Sequence, residues 1–278
     1  MKLPNFVVRV LAGAVFVAIL LAGIFINEFS FLGVFSLFTL LALWEFYNLM
    51  EKSGNVPLSK WGNAIGGTIL FCASFVYFSG ILPSILVFTP YIVYLQIIFI
   101  SELYLKKKDA IKSLAYATLG QLYVALPFAL SNILVFHFFE KYTPLFLLAV
   151  LVLIWVNDSF AYLTGMTLGR HKMFERISPK KSWEGFIGGT CFAMLASTAF
   201  YYFTELYTIP VWIGFAAVIV IFGTLGDLIE SLIKRTLEVK DSGKMIPGHG
   251  GMLDRFDSTI FAIPAAVVYL LIVHQFLF

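Results

Sequence analysis

Nine stretches of about twenty residues, each nearly free of charge, decide what this 278-residue chain can fold into. They cover residues 6–26, 31–50, 64–82, 85–105, 113–139, 145–163, 186–203, 211–229 and 259–278. A helix rising about 1.5 Å per residue needs a run of that length to cross a hydrocarbon core. In lipid every backbone amide must be paired inside its own segment or in a closed barrel, and barrel strands would alternate over about ten residues. These runs do not alternate. The sequence therefore predicts an all-α, polytopic integral membrane protein with about nine transmembrane helices. The mean hydropathy of +0.91 agrees, because one soluble core of this size cannot hide so much apolar surface.

Orientation follows from Lys and Arg. Lys2 and Arg9; Lys52 and Lys60; Lys106, Lys107, Lys108 and Lys112; Arg170, Lys172, Arg176, Lys180 and Lys181; and Lys234, Arg235, Lys240, Lys244 and Arg255 all fall on one side of the alternation. Only Lys141 falls on the other. The positive-inside rule then predicts a cytoplasmic N-terminus and a C-terminus outside. No small-residue cleavage site precedes Asn27 and Glu28, so a cleaved signal is not expected. Cys72 and Cys191 lie in apolar runs without metal-ligand spacing and read as packing residues. The net charge of +3 is modest and one-sided, which reads as topology and gives no sign of nucleic-acid binding.

The ionic residues concentrate toward the C-terminus. Residues 1–140 read as N-terminal transmembrane helices, a scaffold with room for a lipid cavity, and 141–278 as a catalytic domain with its site on the cytoplasmic face. In "WVNDSFAYLTGMTLGRHKMFERISPKKSWEG", Asp158 closes an apolar run, with Trp155 and Tyr162 on about the same helical face. An ionisable group at membrane depth is costly, which favours a cavity-facing role. Gly165 and Gly169 have small-xxx-small spacing for helix packing. Ser178 and Pro179 read as a turn, and Ser182 as a helix cap. Lys180 and Lys181 suit either an anionic headgroup or phosphate, or simple membrane topology.

In "FGTLGDLIESLIKR", Asp227, Glu230, Ser231 and Lys234 fall at i, i+3, i+4 and i+7 on one helical stripe. Two carboxylates one turn apart repel unless a cation is near, which favours a metal; an interfacial Glu–Lys pair is the alternative. "KDSGKMIPGHGGMLDRFDS" then sets Gly243, Gly248, Gly250 and Gly251 among Lys240, Lys244, His249 and Arg255, a composition that presents amides and positive charge to phosphate. Asp241, Asp254 and Asp257 add the hard oxygen ligands that Mg²⁺ prefers, and Asp254 and Asp257 would share one face if a helix begins there. Walker, Rossmann and HExxH patterns are absent, and His137 and His274 read as packing or interfacial residues.

The segment "SLIKRTLEVKDSGKMIPGHGGMLDRFD" resembles the signature of the phosphatidate cytidylyltransferases, also called CDP-diacylglycerol synthases. "WVNDSFAYLTG", "SPKKSWEG" and "GDLIES" are similar to further blocks of that family, while the N-terminal half matches in hydropathy and in "LWEFYNLM" alone. The resemblance implies a dimeric enzyme of the cytoplasmic membrane that condenses phosphatidate, drawn from the bilayer lipids, with CTP, giving CDP-diacylglycerol and pyrophosphate. It implies Mg²⁺, with a second cation such as K⁺ beside it. On that view Asp227, Glu230, Asp254 and Asp257 serve the metal, and Lys234, Arg235, Lys240 and Arg255 hold phosphates beside the amides of Gly248, Gly250 and Gly251. Lys180, Lys181 and Ser182 join in holding substrate. Asp158 and Asp241 contact ribose or cytosine or position other groups, and His249 donates to a phosphate. Two rival readings remain: a CTP-dependent lipid kinase, and an ion-coupled transporter using the intramembrane carboxylates Asp158, Asp227 and Glu230. No self-similarity between the halves supports the latter.

Overall fold

The computed structural model describes residues 5–54, 56–105, 109–139, 141–204, 206–246, 248 and 250–277. Lys2, Lys106, Lys107, Lys108 and His249, named above, lie outside the described residues. Among the described residues, nine helical segments are long and apolar enough to cross a membrane, at the places the apolar runs mark. They are built from α1 (Asn5–Phe25), α2 (Glu28–Gly54), α3 (Lys60–Phe78), α4 (Thr89–Leu105), α5 (Ala110–Gly120), α6 (Leu126–Phe136), α7 (Leu145–Leu168), α8 (Trp183–Thr204), α9 (Ile209–Thr236) and α10 (Asp257–Leu277). A wide π turn, Gln121–Ala125, joins α5 and α6 into a single span.

Two departures from the sequence reading bear on function. Helices α7 and α9 run past the apolar windows that predicted them, to Leu168 and Thr236. The apolar windows close where polar residues enter, at Thr164 and Glu230, whereas the helical hydrogen-bond ladder does not, so Glu230 and Lys234 stay on a regular helix. The all-α architecture also carries one antiparallel ribbon, β1 (Lys172–Phe174) paired with β2 (Ser178–Ser182). Ser178 and Pro179, expected as a turn, are in β2, and the turn falls on residues 175–177. A two-stranded ribbon is all edge, where proline's missing N–H costs nothing.

The chain divides into two compact units. One comprises the helices up to Pro144 together with the segment Leu237–Phe256; the other comprises Leu145–Thr236 and Asp257–Phe278. The glycine-rich stretch thus groups with the N-terminal helices, although a division at 140 and 141 would have given it to the C-terminal part.

Aromatic packing holds the first unit. Phe256, at the end of the glycine-rich segment, is 2% exposed and lies with its ring 5.0, 5.4 and 5.9 Å from those of Phe128, Phe38 and Phe16. Tyr47 donates to the Ala117 carbonyl at 2.8 Å, and Gln121 at the π turn donates to the Tyr47 hydroxyl at 2.8 Å and to the Asn63 carbonyl at 2.9 Å. These bonds tie the π turn to α2 and α3.

In the second unit small residues let the helices close. Gly185, Gly189, Ala193 and Ser197 form the buried stripe of α8, and a Cβ at Gly185 would lie 2.7 Å from the Ala161 carbonyl of α7 and 3.2 Å from the Gly165 Cα. Phe160 and Phe192 stack across the same seam at 3.8 Å. Between α9 and α10 the close approach is at Gly226, whose added Cβ would lie 2.6 Å from the Asp257 carbonyl. That contact sets the first turn of α10 against α9, one residue before Asp227.

Candidate active site

The second unit contains a cavity of about 240 Å³. Asp158 from α7, Lys180, Lys181 and Ser182 from β2, and Thr224 and Asp227 from α9 line it, with Tyr162 and Phe186 as aromatic walls. Lys181 Nζ is 2.7 Å from Asp227 Oδ2, and Asp227 Oδ1 accepts from the Ser231 hydroxyl at 3.2 Å. The Asn157 side-chain amide donates to Asp158 at 3.3 Å. Asp257, opening α10, is in electrostatic reach of Asp227, Asp158 and Lys234. Three carboxylates therefore crowd one region in which Lys181 is the lysine bonded to Asp227. Like charges so placed attract a cation or a polyanion carrying one.

The ribbon presents its lysines from a fixed base. Glu184 accepts from the backbone N–H groups of Arg170 and His171 at 3.1 and 3.2 Å, and its Oε1 is 2.5 Å from His171 Nδ1. Trp183 N–H donates to the His171 carbonyl at 2.9 Å. Ser182 caps α8 as expected, its hydroxyl accepting from Gly185 N–H at 3.2 Å.

Farther along α9, Glu230 and Lys234 pair with each other at 3.0 Å, with 1% and 11% of their side chains exposed. Neither lines the cavity. Glu230, expected at a metal, and Lys234, expected at a phosphate, are here bonded to each other as a buried pair, where the alternative reading had an interfacial one.

In the first unit the glycine-rich segment is folded around carboxylates. Asp254 Oδ2 accepts from Ser242 N–H at 3.0 Å and from Gly251 N–H at 2.7 Å, and lies 3.0 Å from the Ser242 hydroxyl. Ile246 N–H donates to the Gly250 carbonyl at 3.0 Å, closing a turn in which Gly248 and Gly250 have φ of +74° and +83°. Side chains rarely adopt that backbone region, which accounts for these two glycines. Lys240, Asp241 and Arg255 are at the surface of this unit.

Comparison with known proteins settles the family. A model of the cytidylyltransferase family matches residues 7–273. The chain belongs to the cytidylyltransferase family. It is 44% identical over 128 residues to the phosphatidate cytidylyltransferase of Staphylococcus aureus (strain COL), covering 45% of this chain and 49% of that protein. To the Bacillus subtilis (strain 168) phosphatidate cytidylyltransferase it is 38% identical over 156 residues, covering 54% and 55%. The Staphylococcus haemolyticus protein of the same name is 41% identical over 128 residues, 45% of this chain and 49% of that protein. The chain spans about half the length of the curated relatives it matches.

Within this family member, the predicted site residues fall into distinct groups. Asp158, Lys180, Lys181, Ser182 and Asp227 line one cavity, and Asp257 stands electrostatically close to its carboxylates. Asp254 and Asp257 do not share a helical face, because α10 begins at Asp257 and Asp254 sits in a short turn, Leu253–Arg255. Asp254 is in this structure a loop residue, and the Gly251 amide, expected at a phosphate, is given to it.

Sequence reasoning missed Glu45 of α2, which is 1% exposed and accepts from the Ser242 hydroxyl at 3.0 Å and Leu253 N–H at 2.8 Å. The signal was available: a lone carboxylate in the apolar run "LALWEFYNLM" breaks the same rule that singled out Asp158.

The donor chemistry fits a divalent cation. Among the described residues no three His, Cys, Asp or Glu side chains make a ready ligand set. Mg²⁺ does not need one, since one or two carboxylates with water and substrate phosphates complete its octahedron.

Proposed function

We propose that the chain is a phosphatidate cytidylyltransferase, joining CTP and phosphatidate into CDP-diacylglycerol and pyrophosphate. What carries the reading is the cavity in which Lys180 and Lys181 converge with Asp158 and Asp227 between aromatic walls. The relatives' names point to the same reaction class.

The chemistry asks mainly for charge control. A phosphate oxygen of phosphatidate attacks the α-phosphorus of CTP, a new O–P bond forms, the α–β phosphoanhydride breaks, and pyrophosphate leaves with the electron pair. The nucleophile is already anionic at neutral pH, so no side chain has to take its proton. What must be overcome is the approach of one anion to another and the charge growing on the leaving group. Lys180 and Lys181 supply fixed positive charge at the cavity. Asp227 and Asp257 would hold Mg²⁺, which when bound neutralises phosphate charge as a Lewis acid. Tyr162 and Phe186 offer flat apolar surface to a pyrimidine, with Asp158 as an acceptor at the same wall. Lys240 and Arg255, on the glycine-rich segment, are assigned to phosphates.

Nine apolar segments among the described residues are long enough to cross a bilayer, which makes this an integral membrane protein. The lysine and arginine pattern supports a cytoplasmic active site in the cytoplasmic membrane, where a bilayer-bound lipid meets a soluble nucleotide. A homodimer and a second cation such as K⁺ belong to the same proposal.

The test is the purified protein in detergent with CTP, Mg²⁺ and phosphatidate, following pyrophosphate and lipid product together. Equal amounts of pyrophosphate and CDP-lipid, lost in Asp227→Asn, are expected. Release of CDP with a phosphorylated lipid would mean a kinase. Intact CTP, with ion flux in proteoliposomes, would mean a transporter.

A further inference from the structure

Glu45 lies within the apolar helix α2, toward its C-terminal end and far in sequence from the residues it serves. A carboxylate buried at membrane depth persists only where it is compensated. Its compensation comes from one loop. Oε2 accepts from the Ser242 hydroxyl at 3.0 Å and from Leu253 N–H at 2.8 Å, which ties both ends of the glycine-rich turn to one oxygen. Gly243 and Gly251 press on the same carboxylate from the loop side, and a Cβ at either would run into Glu45 Oε1 or Oε2. Ser242 is shared, its hydroxyl also lying 3.0 Å from Asp254 Oδ2, and Asp254 in turn takes Gly251 N–H. The arrangement is a two-carboxylate clamp on an irregular backbone, with the fixed jaw on α2.

We propose that Glu45 is a positioning residue: from α2 it sets the conformation of the glycine-rich loop and thereby the placement of Lys240, Asp241 and Arg255. What those side chains then do rests on the cytidylyltransferase reading above; the clamp itself does not. Two of the four loop glycines have a second purpose on this account. Gly243 and Gly251 are small because the Glu45 carboxylate occupies the space, independently of any phosphate.

The variants separate reach from charge. Glu45→Gln keeps the length and one oxygen that can accept from both Leu253 N–H and the Ser242 hydroxyl while losing the charge, whereas Glu45→Asp keeps the charge and loses one methylene of reach. Gly251→Ala attacks the same contact from the loop side and covers the case in which Glu45→Asp does not fold. Amide hydrogen exchange of the full-length protein in detergent is read at Gly251 and Leu253, and kcat and KM for CTP are measured beside it with the thermal midpoint.

Faster exchange confined to the loop is expected in Glu45→Asp and Gly251→Ala, with kcat/KM down about 100-fold, as misplacement of about 1 Å can cause, and the thermal midpoint close to wild type. Glu45→Gln is expected to retain most of the activity and the loop protection. Unchanged loop exchange in Glu45→Asp and Gly251→Ala would overturn the clamp. Faster loop exchange with wild-type kinetics would overturn the positioning role. Failure of the wild type itself to turn over CTP, with the exchange pattern as expected, would instead remove the enzymatic reading and leave the clamp in place.

Discussion

The cavity of the second unit and the glycine-rich loop of the first hold comparable sets of acids and bases and use them differently. In the cavity the backbone belongs to helices and a ribbon that satisfy their own amides, so Asp158, Lys180, Lys181 and Asp227 spend their polar groups on each other and on the open space. In the loop the backbone has no regular partner. Asp254 and Glu45 are consumed by its donors, Ser242 N–H, Gly251 N–H and Leu253 N–H. A carboxylate packed against backbone that pairs its own amides is therefore available for chemistry, while one packed against irregular backbone, even from a regular helix as Glu45 is, is first a structural acceptor. Small residues show the same contrast. Gly226 and Gly185 serve helix packing, whereas Gly243 and Gly251 make room for a carboxylate.

The sharpest way to break that contrast is Lys181→Met. If cavity side chains act on substrate directly, losing the ammonium 2.7 Å from Asp227 should lower turnover about 10²- to 10³-fold, the range for removing one preorganised electrostatic partner, with little change in thermal midpoint. Pyrophosphate release and a melting curve on the same preparation check it. Retained turnover would mean that the cavity is not where the reaction occurs.

Phe256→Ala tests the other side. The ring is 2% exposed among Phe16, Phe38 and Phe128, and its removal leaves a void that should cost about 3 kcal/mol. The loss should appear as a lower unfolding midpoint and as protease cleavage within Leu237–Phe256. Cleavage elsewhere, with the loop intact, would show that the ring does not anchor the loop.

Gly226→Ala is intermediate. The new methyl would meet the Asp257 carbonyl at 2.6 Å, so α9 and α10 must separate, at a cost of about 2 kcal/mol. Because Asp227 and Asp257 lie at that contact, the Mg²⁺ concentration needed for half-maximal turnover should rise as well. A stability loss with unchanged Mg²⁺ dependence would place Asp257 outside the metal site.

How much of this was legible in the sequence follows from the same contrast. All nine spans could be read because hydrocarbon leaves the backbone one solution at that length. The stripe of Asp227, Glu230, Ser231 and Lys234 was legible as a stripe, but its partners were not. Helical spacing brings residues four apart together, and the structure pairs Asp227 with Ser231 and Glu230 with Lys234. Ser182 could be recognised as a cap from local rules alone. Illegible were the ribbon at Lys172–Ser182, too short for a periodic pattern, and the partners of Glu45, about two hundred residues away in sequence. The glycines pointed to an unusual backbone without saying whether phosphate or carboxylate required it.

Ser182→Ala gives the smallest effect and the finest test. Ser182 was expected to contact substrate and also to cap α8, and both assignments remain compatible with its place on the cavity wall. Only the cap has a partner in the structure, Gly185 N–H at 3.2 Å, and the residue is 5% exposed against the glycines of α7. Loss of a cap costs about 1 kcal/mol for alanine and a few tenths for glycine. Ser182→Ala should therefore lower the melting temperature more than Ser182→Gly does, with KM for CTP the same in both. A rise in KM common to the two variants would give the hydroxyl a substrate contact, and Ser182 would join Lys181 among the side chains that face the nucleotide.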